Sequence, residues 1–125
     1  MRKVLLTLCL IGSAAFSSSA ATKEMIDAAN ARVYLGNEVT VCGAVAEISD
    51  FSRGYYLNIG NSFPHQAITF VVWSNSVNNV RKKLGDFSDL IGTELCATGK
   101  ITEYKNRLQL TIKSSLEIAK NKSAE

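Results

Sequence analysis

Two segments of the chain, 36–48 and 92–104, align with each other without a gap, and both alternate apolar and polar residues as β-strands do. Each segment has a central glycine, which favours a bulge or sharp bend that lets one long strand serve two parts of a sheet. Each also carries one cysteine, and Cys42 and Cys96 have the parity opposite to that of the neighbouring apolar residues. Both cysteines are therefore expected to face the same side of a sheet.

The first 20 residues have the three parts of a secretory signal peptide. Arg2 and Lys3 form a basic start, the run 4–11 is apolar, and small residues lead to a cleavage site near Ala20 and Ala21. The apolar run is shorter than the roughly 20 residues that a membrane-spanning helix needs, and no later stretch approaches that length. We therefore expect a periplasmic or secreted protein with no stable membrane span.

Export would leave two cysteines in the mature protein, because Cys9 would be removed with the signal peptide. Cys42 and Cys96 then form an even pair in an oxidising compartment, which predicts a disulfide. Antiparallel pairing with Cys42 opposite Cys96 also places Thr40 opposite Thr98, so two polar side chains flank the bridge. Alternatives stay open: the two cysteines are free, Cys9 carries a lipid, or the chain is not exported.

The composition fits one globular domain, with 125 residues of which 46% are hydrophobic and 20% are charged. The formal net charge is +3, and without Arg2 and Lys3 it is +1, since 12 basic residues then face 11 acidic ones. This near balance excludes a polycation that coats nucleic acid through bulk charge alone. Local basic patches remain compatible with it.

Five runs with the composition of β-strands follow one another along the chain, with a helix among them. Apolar residues at helical spacing from Val77 to Leu90 predict this helix between the third and fourth strands, and Gly85 is expected to end its first piece at Leu84. The strands are predicted at 39–48, 55–59, 67–73, 94–103 and 108–116.

Shorter features are predicted at the two ends of the mature chain. A short amphipathic helix is expected at 23–32 with Thr22 as its cap, and a polar, frayed tail is expected after Ile118. The chain then divides into a signal peptide (1–20), an N-terminal helix and lead-in (21–35), a strand-rich domain (36–118) and a polar tail (119–125).

This order of elements is that of the OB-fold, an all-β, five-stranded Greek-key barrel with little helix. The chain contains the stretches VTVCGAV (39–45), RGYYLNIG (53–60), TFVVW (69–73) and 90–101. In these stretches it resembles the bacterial nucleic-acid-binding OB domains of the anticodon-binding type, in particular small exported or nuclease-associated members. The resemblance covers residues 36–118 and departs at Gly60, where the anticodon-binding enzymes usually carry an acidic residue. In OB domains the first strand pairs with the fourth, so the resemblance also implies a disulfide between Cys42 and Cys96.

The OB-fold implies a ligand surface on strands two and three and on the loops that join strands one to two and four to five. On strand two, Tyr55 has the parity of the core, whereas Tyr56 and Asn58 are expected to face outward. On strand three, the sequence leaves open whether Phe70 or Trp73 faces outward. The candidate ligand-binding residues are Phe51, Arg53, Tyr56, Asn58, Trp73, Tyr104, Lys105 and Arg107.

These side chains also have simpler interpretations. Phe51 and Trp73 could pack within the protein, and Lys105 and Arg107 flank a turn where water alone would solvate them. The basic run 81–83 is most simply the solvated face of the helix.

Aromatic side chains beside basic ones suit single-stranded nucleic acid, since bases stack at about 1 to 3 kcal/mol each while Lys or Arg follows the phosphates. We therefore predict an exported, non-enzymatic OB-fold protein that binds single-stranded nucleic acid on the face of strands two and three. The alternative is a protein- or envelope-glycan-interaction module that uses the same face.

No catalysis, metal or cofactor is expected from the sequence. The only histidine, His65, is predicted in a loop, and the chain has no CxxC, GxSxG, HExxH or phosphate-binding glycine motif.

Overall fold

The computed structural model of the chain describes Gly12 and residues 23–122. The predicted signal peptide, apart from Gly12, lies outside these residues, as do Thr22 and residues 123–125 of the predicted tail. Within the described part of the chain, no helix is both long enough and apolar enough to cross a membrane.

The described residues form seven strands in one sheet, so the fold is mostly β, as predicted. The strands are β1 (Met25–Asp27), β2 (Glu38–Phe51), β3 (Gly54–Ile59), β4 (Ile68–Trp73), β5 (Glu94–Tyr104), β6 (Arg107–Ile112) and β7 (Ile118–Lys120). The α-helix α1 spans Ser74–Leu84 between β4 and β5, and short 3₁₀ helices span Ala28–Tyr34, Phe87–Leu90 and Ser115–Glu117.

The longest strand, β2, has two different partners along its length. Its first half, 38–44, pairs antiparallel with β5, and its second half, 45–51, pairs antiparallel with β3. β3 pairs with β4, β4 pairs parallel with β6, and β6 pairs with β5. The sheet therefore curves around one core, with a second, outer face turned away from it.

The core is filled by alternate side chains of the strands, with Val77, Val80 and Leu84 added from one face of α1. Burial of one such side chain stabilises the fold by about 1.5 to 3 kcal/mol, so this apolar parity decides which face of each strand turns inward. The largest fully buried residues are Phe70, Leu57, Ile59, Ile68, Leu90, Leu95, Ile101, Leu110, Ile112 and Ile118.

The pairing of β2 with β5 has the register predicted from the two cysteines. Cys42 lies opposite Cys96, and their Cα atoms are 4.1 Å apart in a disulfide. Thr40 lies opposite Thr98, and their hydroxyl oxygens are 2.6 Å apart. The predicted disulfide and its neighbouring threonine pair are therefore confirmed.

The irregularity expected at the centre of β2 lies just beyond Gly43, between Val45 and Glu47, where the register with β3 shifts. Gly43 has a different role, which is close packing. A Cβ at this position would overlap the side chain of Ile59 and lie 2.9 Å from the Cβ of Ala28. The glycine therefore allows β3 and the first 3₁₀ helix to approach β2.

The helix α1 ends where the sequence predicts. Gly85 has φ of 90°, a conformation that favours glycine, and its N–H donates a hydrogen bond to the Arg81 carbonyl at 2.8 Å. The chain continues into the second 3₁₀ helix, from which Phe87 and Leu90 are buried in the core.

The predicted N-terminal helix at 23–32 is wrong in its first half, and its second half is helical only as part of a 3₁₀ helix. Its first half instead forms β1, which pairs parallel with β2, and the 3₁₀ helix Ala28–Tyr34 follows. The Asp27 carboxylate caps that helix, accepting a hydrogen bond from the Ala29 N–H at 2.8 Å. Pairing along an available edge of β2 outweighs the weak helix preference of so short a segment.

The C-terminal end also differs from the prediction. β6 ends at Ile112 instead of 116, because the Ser114 hydroxyl accepts a hydrogen bond from the Leu116 N–H at 3.2 Å and begins a 3₁₀ helix. The residues after Ile118 continue in β7, which pairs with β5 and sets Ala119 opposite Cys96. The sheet has two short strands, β1 and β7, beyond the five that were predicted.

Loss of the disulfide is expected to lower the free energy of unfolding by about 4 kcal/mol, because the bridge closes a loop with a sequence separation of 54 and restricts the unfolded chain. Urea unfolding of the oxidised protein, the reduced protein and the Cys42→Ala, Cys96→Ala double variant measures this difference. The reduced and double-variant proteins should agree. Alkylation of both cysteines in denatured, unreduced protein would contradict the bridge.

Gly43→Ala is expected to destabilise the protein by about 1 to 3 kcal/mol, because the added methyl group overlaps Ile59. Gly99→Ala, at the aligned position of β5, is the matched control. Its methyl group would meet the flexible end of the Leu110 side chain at 3.1 Å, so a smaller loss is expected. Equal losses in urea unfolding would show that close packing does not explain Gly43.

Candidate functional site

Three aromatic side chains, Phe51, Tyr56 and Trp73, gather on the outer face of β2, β3 and β4, and this surface is called the aromatic face below. The ring centroids of Phe51 and Tyr56 are 4.2 Å apart, with the ring planes within 8° of parallel. The centroids of Phe51 and Trp73 are 5.7 Å apart in an edge-to-face arrangement. Trp73 keeps 38% of its surface exposed.

Gly54 explains why Phe51 and Trp73 meet although they come from different strands. It pairs with Phe51 on one side and with Trp73 on the other, so no side chain stands between the two rings. A Cβ on Gly54 would also overlap the Val72 carbonyl oxygen, so the close approach of β3 to β4 requires glycine here.

The parity of strand three, which the sequence leaves open, is settled by burial. Phe70 is fully buried, and Trp73 is the aromatic residue of β4 that faces outward. Tyr55 packs on the core side, as predicted, edge-to-face with Phe87 at 5.0 Å. Its hydroxyl oxygen accepts a hydrogen bond from Arg81 at 3.0 Å, so Arg81 is not part of a purely solvated face.

The predicted basic residues lie near aromatic rings to different degrees. The guanidinium carbon of Arg107 is 5.9 Å from the ring centroid of Tyr56, within cation–π range. The Lys105 ammonium is 5.3 Å from the ring of Tyr104, which is 53% exposed. Arg53 is exposed in the turn between β2 and β3, and its carbonyl oxygen accepts a hydrogen bond from the Ser74 N–H at 2.7 Å.

Asn58 lies on the outer face of β3, but its side chain is committed to internal hydrogen bonds. Only 3% of its surface is exposed. Its Nδ2 donates to Glu47 Oε1 at 2.8 Å, and its Oδ1 accepts from the Thr69 hydroxyl at 2.8 Å. Asn58 is therefore a residue that positions Glu47 beneath the face.

Glu47 and Phe63 belong to the same surface, although no pattern in the sequence points to either residue. Glu47 Oε1 accepts a second hydrogen bond from the Phe63 N–H at 3.0 Å, which ties the loop between β3 and β4 to β2. This backbone hydrogen bond, with a smaller contribution from Asn58, lowers the pKa of Glu47 below its ordinary value of 4.5. Phe63 is 55% exposed, and the guanidinium carbon of Arg107 lies 5.4 Å from its ring centroid.

These residues line a cavity of about 300 Å³, called the Tyr56–Phe63 cleft below. Two aromatic rings, one guanidinium and one carboxylate therefore surround a single opening. Its lining consists of Glu47, Ser49, Tyr56, Asn58, Phe63 and Arg107.

Two other cavities help to define the surroundings. One of about 420 Å³ lies beside Trp73 and brings together the basic residues Arg53 and Lys113. A larger one, of about 630 Å³, is lined by small residues such as Gly43, Gly60 and Gly92, and none of the predicted site residues borders it. Among residues 23–122, no three His, Cys, Asp or Glu side chains converge closely enough to hold a metal ion.

Comparison with known proteins defines the fold class. No family model and no curated protein matches the chain. Among solved structures, the S. pombe Stn1–Ten1 complex is similar with a TM-score of 0.51 at 15% identity, covering 68% of this chain and 58% of that one. The chain thus spans less than two thirds of that protein's length.

Two OBodies bound to hen egg-white lysozyme are similar as well. OBody AM1L10 has a TM-score of 0.54 at 20% identity and covers 82% of this chain and 98% of its own. OBody AM2EP06 has the same TM-score at 17% identity and covers 82% and 96%. At these identities the likeness concerns architecture alone. The chain has the fold of the OB-fold proteins.

The stability of the protein is expected to fall on acidification through protonation of Glu47. The pKa of Glu47 is lower in the folded protein than its ordinary value of 4.5. The ionised carboxylate therefore adds to the free energy of unfolding in full above about pH 4.5, and this contribution is lost as the pH falls through the pKa of the folded state. Melting temperatures of the wild type and Glu47→Gln, measured in steps from neutral pH downward, should converge in acid. Glu38→Gln, in an exposed ion pair with Lys23, is the control. Parallel curves for wild type and Glu47→Gln would contradict this role.

Proposed function

We propose that this protein is an exported, non-catalytic OB-fold binding protein that holds single-stranded nucleic acid along its aromatic face. The observation that carries the proposal is the Phe51, Tyr56 and Trp73 cluster with the guanidinium of Arg107 against one of its rings. Stacking surfaces next to cations are what an unpaired strand requires.

The arrangement of the rings supports stacking of bases on the cluster. The rings of Phe51 and Tyr56 stack face to face, and Trp73 packs edge-to-face with Phe51. Part of the Trp73 surface is exposed to solvent. Each base that stacks on such a ring contributes about 1 to 3 kcal/mol, largely independent of sequence. A cluster of three rings is long enough to receive successive bases of an extended strand.

Local charge supports the path of the phosphates. Arg53 and Lys113 lie beside Trp73, and Lys105 and Arg107 lie at the turn between β5 and β6. The charge from Ala21 onward is near balance, so attraction of the phosphates depends on these local cations. Salt screens each of them beyond about 8 Å at physiological ionic strength. We therefore place the phosphates along the edges of the aromatic face, next to Arg53, Lys105 and Lys113, while the Arg107 guanidinium lies against the Tyr56 ring.

The proposed location outside the cytoplasm rests on two features. Residues 1–20 have the pattern of a signal peptide. The Cys42–Cys96 disulfide is of the kind that persists in oxidising compartments. Both agree with the resemblance to small exported bacterial OB domains of the anticodon-binding type.

The alternative ligand is a protein or an envelope glycan on the same face. Two neighbours in fold are OBodies bound to a protein, hen egg-white lysozyme, so the architecture is compatible with this alternative. Salt dependence separates the two ligand classes, because nucleic-acid binding releases counterions whereas aromatic contacts with a sugar or protein hardly change with salt.

Saturable binding of single-stranded oligonucleotides is expected, with Trp73 fluorescence quenched as the ligand binds. The Lys105→Glu, Arg107→Glu variant should bind at least about tenfold more weakly, because it replaces two cations beside the stacking rings by carboxylates that repel the strand. The slope of log affinity against log salt should fall by about 0.7, the contribution of one phosphate contact in a single strand, because Lys105 is the phosphate-contacting member of the pair. Fluorescence anisotropy at several salt concentrations measures both quantities.

Lys82→Glu combined with Lys122→Glu is the matched control, because it changes the net charge equally on other elements. It should retain most of the affinity and of the salt slope. Equal losses in the two double variants would assign binding to net charge and contradict the proposed face. No binding at low salt would overturn the proposal and favour a protein or glycan ligand.

A further inference from the structure

We infer that the Tyr56–Phe63 cleft reads one base of the bound strand and prefers guanine. This inference rests on the proposed function and goes beyond it, since stacking on the aromatic face is tolerant of sequence whereas the cleft offers hydrogen-bonding groups. Its volume of about 300 Å³ has room for one nucleobase and part of its sugar.

The walls of the cleft are held in place by the protein itself. Tyr56 stacks on Phe51, and the Phe63 backbone is tied to Glu47 by the 3.0 Å hydrogen bond. Glu47 is held in turn by Asn58, which is buried and bonded to Thr69. A base that enters the cleft beside the Arg107 guanidinium therefore meets carboxylate and backbone groups that are already in place, which lowers the cost of ordering them on binding.

The two carboxylate oxygens of Glu47 have different tasks. Oε1 already accepts hydrogen bonds from Asn58 and Phe63, so its capacity is used. Within residues 23–122, Oε2 has no hydrogen-bond or ion-pair partner and remains available as an acceptor. Arg107 contributes donors only, from the guanidinium that lies near both rings.

A carboxylate on a surface that binds nucleic acid repels the phosphates, but it can accept hydrogen bonds from the N–H groups of a base. Glu47 therefore suits a position that faces a base edge and not the phosphates. Glu47 Oε2 requires donors, and Arg107 requires acceptors. Guanine carries both on one ring system: N1–H and the exocyclic amine donate, while O6 and N7 accept, an edge that arginine commonly reads. Thymine and uracil lack an exocyclic amine. Adenine and cytosine have an exocyclic amine but no ring N–H beside it, and neither has two adjacent acceptors equivalent to O6 and N7 of guanine.

The test compares single DNA strands of about twelve nucleotides, a length within the range of one OB-fold, that differ at one central position. The reference strand is all thymidine, and the others carry one guanine, cytosine or adenine. Competition measured by fluorescence anisotropy should give a guanine-to-thymine affinity ratio of about five or more, the lower end expected for one well-formed bidentate contact.

Two variants test the assigned atoms. Glu47→Gln keeps an oxygen for Asn58 and Phe63 but replaces the free acceptor by a donor, so the guanine-to-thymine ratio should fall towards one. Arg107→Lys keeps the charge but loses the planar fork, and the ratio should fall as well. Glu38→Gln, which removes the same charge at the far end of β2, should keep the wild-type ratio.

The outcomes distinguish this inference from the proposed function. Binding with equal affinity for all four strands, or a guanine preference that survives in Glu47→Gln, would overturn the cleft as a guanine subsite while strand binding stands. Failure of every strand to bind would overturn both. Because the readout is a ratio within one protein, a general loss of folded protein in a variant does not imitate the expected result.

Discussion

The pairing of β2 with two different strands is the constraint on which the rest of the structure depends. The first half of β2 is joined to β5 by backbone hydrogen bonds and by the Cys42–Cys96 disulfide, and the second half pairs with β3. Contacts between residues far apart in sequence are entropically costly to form, and the disulfide removes part of this cost by restricting the unfolded chain. With β2 held in this way, the apolar sides of β3, β4 and β6 enclose one core and their other sides form a continuous outer face.

The register of these strands determines which side chains meet on the outer face. Gly54 pairs with Phe51 and with Trp73, and its lack of a side chain allows the two rings to meet over it. The same strands set Glu47 beside Asn58, where the carboxylate is held by hydrogen bonds and fixes the loop that carries Phe63. A sheet that packs its core by alternation thus also sorts its outer residues into aromatic and polar rows.

The charge on this face is local and mixed, which suits selective contact better than long-range attraction. Arg107 lies near two rings, whereas Glu47 supplies the negative charge in the same cleft. Opposite charges at one opening favour a ligand with its own donors and acceptors over a uniform polyanion. The proposed base-reading cleft and the proposed stacking surface are therefore two parts of one face with different demands on the ligand.

Much of the fold was determined by the sequence itself. Alternation and cysteine parity predicted the β2–β5 register with its disulfide and threonine pair, and glycine chemistry predicted the end of α1, because these signals act within a strand or a turn. Tertiary structure decided what depends on neighbours distant in the chain. Pairing with β2 made a strand of the first half of the predicted N-terminal helix, and pairing with β5 placed residues 119 and 120 of the predicted tail in β7. Hydrogen bonds with Glu47 and Thr69, which come from neighbouring strands, bury the side chain of Asn58 that the sequence predicts to face outward. No local pattern identifies that carboxylate, since its role follows from a backbone N–H that only the folded loop brings to it.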